Sequence, residues 1–118
     1  MYTKLTKKDI IAFNKQLGEQ GITRNESSLD FALSIAKTKK NWLYELSYLT
    51  RSLLIDHVFV DGNKRTALLV VIFDFDENKK QFDRNQLLRT MKIIAQKNIT
   101  NPLKIMRLLY NVVREKNK

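Results

Sequence analysis

The chain has 118 residues, 43% of them hydrophobic, which is enough to bury one core and too few to build two. Its 22 Lys and Arg against 12 Asp and Glu leave a formal charge of +10, so phosphates, acidic proteins or nucleic acid are the partners its field attracts. Zero cysteines exclude disulfides and thiolate metal sites, and the apolar run Ala67 to Phe73 is far below the roughly 18 residues of a membrane helix. With no long apolar stretch after the charge in Met1-Tyr2-Thr3-Lys4-Leu5, the expectation is a cytoplasmic protein with no membrane association.

Three glycines, one proline and no internal repeat favour a helical bundle over a turn-rich β fold, so the expected class is all-α, with residues 1–118 forming one domain. Thr6-Lys7-Lys8-Asp9 reads as an N-terminal cap with an acid in the first turn. Ile10, Phe13 and Leu17 then recur at helical spacing, which predicts a first helix over about residues 7–17. Residues 18–28 are polar and turn-forming, and Ser27 or Ser28 is the expected cap of a second helix lined by Leu29, Ala32, Leu33 and Ala36. Trp42, Leu46, Leu49 and Leu53 predict a third helix running to about Asp56, with Tyr44 and Tyr48 as half-buried packing residues.

Ala67 to Phe73 is locally ambiguous, because its β-branched residues suit a buried strand as well as a helix. The helix is preferred on two grounds: Asn63 to Ala67 begins like a capped helix, and no partner strand is evident elsewhere. A helix so apolar would lie at the centre of the fold. Asp76 to Lys80 reads as a turn, and Asp83 as the cap of a helix carrying Leu87, Met91, Ile94 and Ala95. Asn101-Pro102 opens a last helix whose apolar face is read as Leu103, Met106, Tyr110 and Val113, widened by Ile105 and Leu109. The methionines read as core filler. The charge runs Lys37 to Lys40, Lys79-Lys80 and Arg114 to Lys118 read as solvated surface.

The chemistry concentrates at residues 57–65. His57 is the only histidine, and Asp61, Gly62, Asn63, Lys64 and Arg65 follow within eight positions, directly ahead of the central helix. A helix N-terminus presents unpaired N–H groups and the positive end of the helix dipole, which suits an anion such as a polyphosphate. Gly62 lets the backbone wrap closely, and Lys64 and Arg65 add charge, Arg65 with a planar fork for two phosphate oxygens. Asp61 is a candidate magnesium ligand, since that ion takes one or two carboxylates plus substrate phosphates. His57, the only histidine, is the candidate general base for a hydroxyl. Taken alone, these residues leave two readings open: phosphate-transfer machinery, or a charged helix start beside a structural histidine.

His57-Val58-Phe59-Val60-Asp61-Gly62-Asn63-Lys64-Arg65-Thr66-Ala67-Leu68 resembles the signature of the Fic/Doc family. The family pattern is His, any residue, Phe, any residue, an acid or similar, Gly or Ala, Asn, Gly or Lys, Arg. All seven defined positions match in register, and Leu29 to Leu33 falls where Doc-type members carry a comparable helix. The resemblance implies a compact bundle of about six helices with a buried helix after the motif.

Two chemistries occur in that family. The branch that transfers AMP has Gly after Asn and a second Arg three residues beyond the first, positions held here by Lys64 and Leu68. The death-on-curing (Doc) branch has Lys-Arg-Thr-Ala-Leu there and moves the γ-phosphate of ATP, and Lys64 to Leu68 match it.

The resemblance therefore implies that His57 deprotonates the acceptor, Asp61 binds Mg²⁺, and Asn63, Lys64 and Arg65 hold ATP phosphates beside the Gly62 backbone. Phe59 anchors the loop, and a peptide-docking flap falls within residues 18–28. Many members inhibit themselves through a Ser or Thr followed four positions later by Glu. No Ser or Thr here has Glu at that spacing, so a separate antitoxin is expected.

The implied function is a toxin of a toxin–antitoxin module, a kinase acting on a target resembling translation elongation factor Tu, with nucleic acid not expected as a partner. The alternatives are AMP transfer to a protein hydroxyl and a basic binding module with a vestigial site.

Overall fold

Capping chemistry sets where most of the helices begin. The structure is a computed structural model describing residues 5–36 and 41–114. Its α1 (Lys7–Gln16) opens with a reciprocal box in which Thr6 Oγ1 accepts from the Asp9 N–H and Asp9 accepts from the Thr6 N–H. Asn41 caps α3 (Trp42–Leu54), Asp83 caps α5 (Arg84–Gln96), and Asn101 caps α6 (Pro102–Val112), where Pro102 occupies the first turn. In α2 (Glu26–Ala36) the expected serine cap is corrected: Asn25 Oδ1 accepts from the Ser28 N–H at 3.3 Å, and both serines lie inside the first turn. The remaining helix, α4 (Asn63–Glu77), has Gly62 at its N-cap and no side-chain cap at all.

The all-α expectation holds, with six helices and almost no strand among the described residues. Helix α3 is the hub, packing against α2, α4 and α6, while α4 also meets α1 and α5. Leu46 and Leu53 of α3, Val70 and Phe75 of α4, Leu87 of α5 and Ile105 and Leu109 of α6 are fully buried in one continuous core. A radius of gyration of 13.2 Å fits a single body, since a 100-residue domain has about 13 Å.

Ala67 to Phe73 is helical, and α4 is nearly apolar all round in that stretch. Ala67, Val70 and Val71 are sealed, and Leu68, Leu69, Ile72 and Phe73 are half-buried. Packing on several sides overrides the β propensity of its valines and isoleucine, which is a weak preference by comparison.

Strand structure does exist, but in short pieces. Gln81–Phe82 (β1) pairs antiparallel with Val113–Arg114 (β2), and Thr23 bridges to Phe59. The third helix ends two residues before the expected boundary, so Ile55 and Asp56 form a turn ahead of His57. The apolar face of α6 is also corrected. Ile105, Leu109 and Val112 are its buried side, whereas Leu103 and Tyr110 are 54% and 65% exposed. The helix carries two apolar stripes, and the core took Ile105, Leu109 and Val112, with Met106 and Val113 packed at its edge.

Tyr44 and Tyr48 are half-buried as expected, their rings 5.2 Å apart and their hydroxyls 3.2 Å apart. The hydrogen bond from Tyr44, with partial burial, raises the Tyr48 phenol above its ordinary range. Met91 is a core residue and Met106 packs against the core from its edge. Lys79 is exposed in the turn after α4, whereas the runs at 37–40 and 115–118 lie outside the described residues. No helix among the described residues is long and apolar enough to cross a membrane.

Candidate phosphate cradle at the start of α4

The loop between α3 and α4 is held from three directions. On the α2 side, Ser28 Oγ donates to Asp56 Oδ2 at 2.7 Å and Asn25 Nδ2 donates to the Asp56 carbonyl at 3.2 Å. This pins the residue preceding His57. From residues 22–25, the N–H groups of Arg24 and Asn25 donate to the Val58 carbonyl at 2.6 and 3.0 Å, and the Val60 N–H donates to the Ile22 carbonyl at 3.0 Å. From α1, Asn14 Nδ2 donates to the Asp61 carbonyl at 2.9 Å and to Thr66 Oγ1 at 3.2 Å, while its Oδ1 accepts from the Gly21 N–H at 2.8 Å.

Inside the loop, Asn63 closes a ring. Its Oδ1 accepts from the Phe59 N–H and its Nδ2 donates to the Phe59 carbonyl, both at 2.8 Å, and the Phe59 side chain is fully buried. The Asn63 amide is therefore occupied in organising the loop, and what it offers outward is its backbone N–H. Phe59 sits in the core as the anchor of that ring.

Two residues of the loop occupy the left-handed region, Gly62 at φ 79° and His57 at φ 54°. For Gly62 this is permitted conformational freedom, and a close approach adds to the requirement, because a Cβ there would lie 2.7 Å from Glu19 Cγ. For His57 it is strain, of order 1–3 kcal/mol, sustained by the surrounding bonds. Such strain concentrates at functional positions, and here it presents an exposed imidazole to solvent.

The N–H groups of Asn63, Lys64 and Arg65 find no acceptor among the described residues, and Gly62 supplies no side chain to cap them. They stand at the positive end of a helix 15 residues long. A cavity of about 460 Å³ opens there, and all six residues singled out in the sequence, His57, Asp61, Gly62, Asn63, Lys64 and Arg65, line it together with Arg24 and Val60. Three cations and one carboxylate line that space, and with a second carboxylate, Glu19, paired to Arg65 from beside it the balance is still positive, which favours an anion.

Asp61 is exposed, and its Oδ1 accepts from the Gly62 N–H at 2.8 Å. No group of three or more potential metal ligands occurs among the described residues. A single carboxylate still suits magnesium, which completes its shell with water and phosphate oxygens.

Asn14, Glu19 and Arg24 belong to this site and were missed in the sequence. Arg65 Nη2 pairs with Glu19 Oε2 at 2.8 Å, so Glu19, packed against Gly62 beside the cavity, engages one of its cations. Asn14 did leave a signal: it is a polar residue one position after Phe13 and four after Ile10, on the core-facing side of α1, and it is 1% exposed. Glu19 and Arg24 left none, because their positions depend on how the chain between α1 and α2 lies against residues 58–62. No protein-family model matches the chain, and neither does any curated protein or solved structure compared with it.

Proposed function

We propose that the protein is a phosphotransferase that moves the γ-phosphate of ATP to a hydroxyl of a target protein, in the manner of a Doc-type toxin. The observation that carries the reading is the uncapped N-terminus of α4, with His57, Asp61, Lys64 and Arg65 around one cavity. The chain chemistry then divides naturally. The N–H groups at residues 63–65, with Lys64, Arg65 and Arg24, bind and orient the phosphate chain and offset the charge it develops. Asp61 would hold Mg²⁺, which neutralises phosphate charge when bound. His57, exposed at the cavity wall, accepts the proton of the target hydroxyl. That oxygen then bonds to the γ-phosphorus, the bond from the γ-phosphorus to the β,γ-bridging oxygen breaks, and ADP leaves.

The choice of γ-phosphate over AMP transfer rests on Lys64 and Leu68, which stand where the AMP-transferring branch has Gly and a second Arg. Without that second guanidinium one grip on the phosphate chain is missing, and Lys64 moves positive charge to the helix start. An elongation factor Tu-like target and a separate antitoxin belong to the same proposal and rest on the resemblance of residues 57–68.

The test is incubation with ATP labelled at either the α or the γ position and purified elongation factor. Transfer from the γ position, lost in His57→Ala, is the expected result. Transfer from the α position alone would instead make the protein a nucleotidyltransferase. Binding to partners that survives His57→Ala without any transfer would point to a basic binding module.

A further inference from the structure

The formal charge of the chain is unevenly spread. Over residues 1–83, 13 Lys and Arg are nearly matched by 11 Asp and Glu, whereas residues 84–114 hold seven Lys and Arg and no acid. That second stretch is α5 and α6. Gln86, in the first turn of α5, donates through Nε2 to the carbonyl of Asn111, in the last turn of α6, at 3.4 Å, so the two helices run antiparallel. Arg84, Arg89, Lys92, Lys97, Lys104 and Arg107 are all exposed, and none is paired with a carboxylate among the described residues. Like charges gathered in this way repel one another, and a polyanion relieves the repulsion.

The Gln86 contact fixes which sides of the helices meet. Arg89 and Ile93 follow Gln86 at three and seven residues, and Lys104 and Leu108 precede Asn111 by seven and three, so these side chains flank the seam between α5 and α6. With 13 residues in α5 the seam is about 20 Å long. The adjoining face of α6 carries Leu103, Arg107 and Tyr110, spaced four and three apart. Leu103 and Tyr110 are the exposed apolar residues of that helix, and with Arg107, Leu43 and Met106 they border a cavity of about 300 Å³.

We propose that the outer face of α5 and α6 binds single-stranded RNA, with the sugar–phosphate strand along the seam on Arg89 and Lys104 and an unpaired base stacked on Tyr110 beside Arg107. The inference is independent of the cradle, and it sets aside the expectation that nucleic acid is no partner. Phosphodiesters repeat along a strand and meet cations spread along a seam, where a compact anion meets only one or two. A single strand is favoured because the exposed phenol ring and the guanidinium next to it offer a stacking platform to a base whose face is free. RNA is favoured because the exposed Asn111 amide makes no hydrogen bond among the described residues, and it can both donate to and accept from a 2′-hydroxyl.

The arrangement of apolar residues argues against the other acceptors of positive charge. Leu88 and Ile93 are five residues apart and therefore about 140° apart around α5, on opposite flanks, and Leu103 and Tyr110 lie on a further face. An anionic membrane or an acidic amphipathic helix needs one continuous apolar stripe to lie against, and these four residues do not form one.

The experiment is fluorescence anisotropy of a labelled, unstructured RNA of about 20 nucleotides titrated with the whole chain across a salt series. Micromolar binding is expected at about 0.1 M salt, with log K falling against log salt at a slope between about −2 and −4, the mark of three to six phosphate contacts on a single strand. Arg89→Gln with Lys104→Gln, both at exposed positions, weakens binding at least about five-fold and reduces the slope by about 1.4. Lys8→Gln with Lys15→Gln, which takes the same charge from exposed positions on α1, changes it less than about two-fold. Tyr110→Ala weakens binding several-fold at unchanged slope, and Tyr110→Phe retains it.

Absence of binding, or equal losses in the two double variants, overturns the proposal and leaves the cradle untouched. Loss in Lys64→Gln with retention in the α5–α6 double variant would put the strand on the cradle instead, and also overturns it. DNA of the same sequence binding as tightly overturns the assignment to RNA. Polyglutamate or phosphatidylglycerol vesicles displacing the RNA at equal charge concentration overturn the choice of a nucleic acid.

Discussion

Replacing Asn63 separates the loop-forming role of this side chain from the phosphate-binding role proposed for its backbone. Asn63→Ala removes two hydrogen bonds of 2.8 Å and strands the N–H and carbonyl of Phe59, whose residue is fully buried. Each stranded group costs about 1–3 kcal/mol, so the loss is about 3 kcal/mol. A native domain has roughly 5–15 kcal/mol in all, so the variant still folds. Its melting temperature falls by roughly 10 °C.

Asn63→Asp discriminates further. One carboxylate oxygen still accepts from the Phe59 N–H, but the other replaces a donor and faces the Phe59 carbonyl. Only the protonated acid can donate there, so the folded state raises the pKa of the new carboxyl. That favours the native state at pH values low enough to protonate it and costs stability above them. The loss relative to wild type is therefore smaller at pH 4 than at pH 7. Urea denaturation followed by circular dichroism at both pH values measures this. A cost below about 1 kcal/mol for Asn63→Ala, or an Asn63→Asp penalty that does not change with pH, would refute the closed-ring account.

Gly62→Ala forces a Cβ into the left-handed region and within 2.7 Å of Glu19 Cγ, and 3.1 Å of Asn14 Nδ2. It should cost about 1–3 kcal/mol of stability, seen as a lowered urea midpoint at unchanged slope, because Glu19 can swing aside but the backbone strain stays. Glu19→Gln frees the Arg65 guanidinium. Since a pair of this exposure contributes about 0.2–1 kcal/mol, ATP affinity measured by calorimetry should rise up to about five-fold, and a fall would show that Glu19 assists binding.

Lys7 joins α1 to α2 through Glu26 and through Asp30 at 2.8 Å, and hydrogen bonding to Lys7 lowers the Glu26 pKa while Asp30 and then Glu26 raise that of Lys7. Both shifts favour the charged forms. The support is present between the ordinary carboxylate and lysine ranges, is lost as pH falls through the lowered Glu26 value, and is lost again as pH rises through the raised lysine value. Lys7→Ala should therefore flatten the stability profile at both ends, and salt should shrink the difference, as thermal melts across pH would show.

The helix starts were the most legible part of the fold, because Thr6, Asn41, Asp83 and Asn101 are local signals, and three of the four were read as caps from the sequence. The gathering of the candidate site residues was legible for a similar reason, since residues 57–65 are contiguous and the loop only has to turn them towards one cavity. Where reading failed, the information was not local. On α6 both stripes satisfy helical periodicity, and only the packing against α3 selects Ile105 and Leu109 over Leu103 and Tyr110. The pairing of residues 22–25 with 58–60 depends on a contact across more than 30 positions that no two-residue periodicity announces. Arg24 enters the site through that contact, and Glu19 through the turn after α1, which lays it against Gly62.

The most direct test of the cradle is a titration of the ¹⁵N-labelled chain with Mg·ATP, followed by the backbone amide resonances. The account predicts that the largest shifts fall on Gly62, Asn63, Lys64 and Arg65, and that inorganic tripolyphosphate moves the same four. Shifts centred elsewhere in the bundle, with these four amides unmoved at saturation, would contradict it.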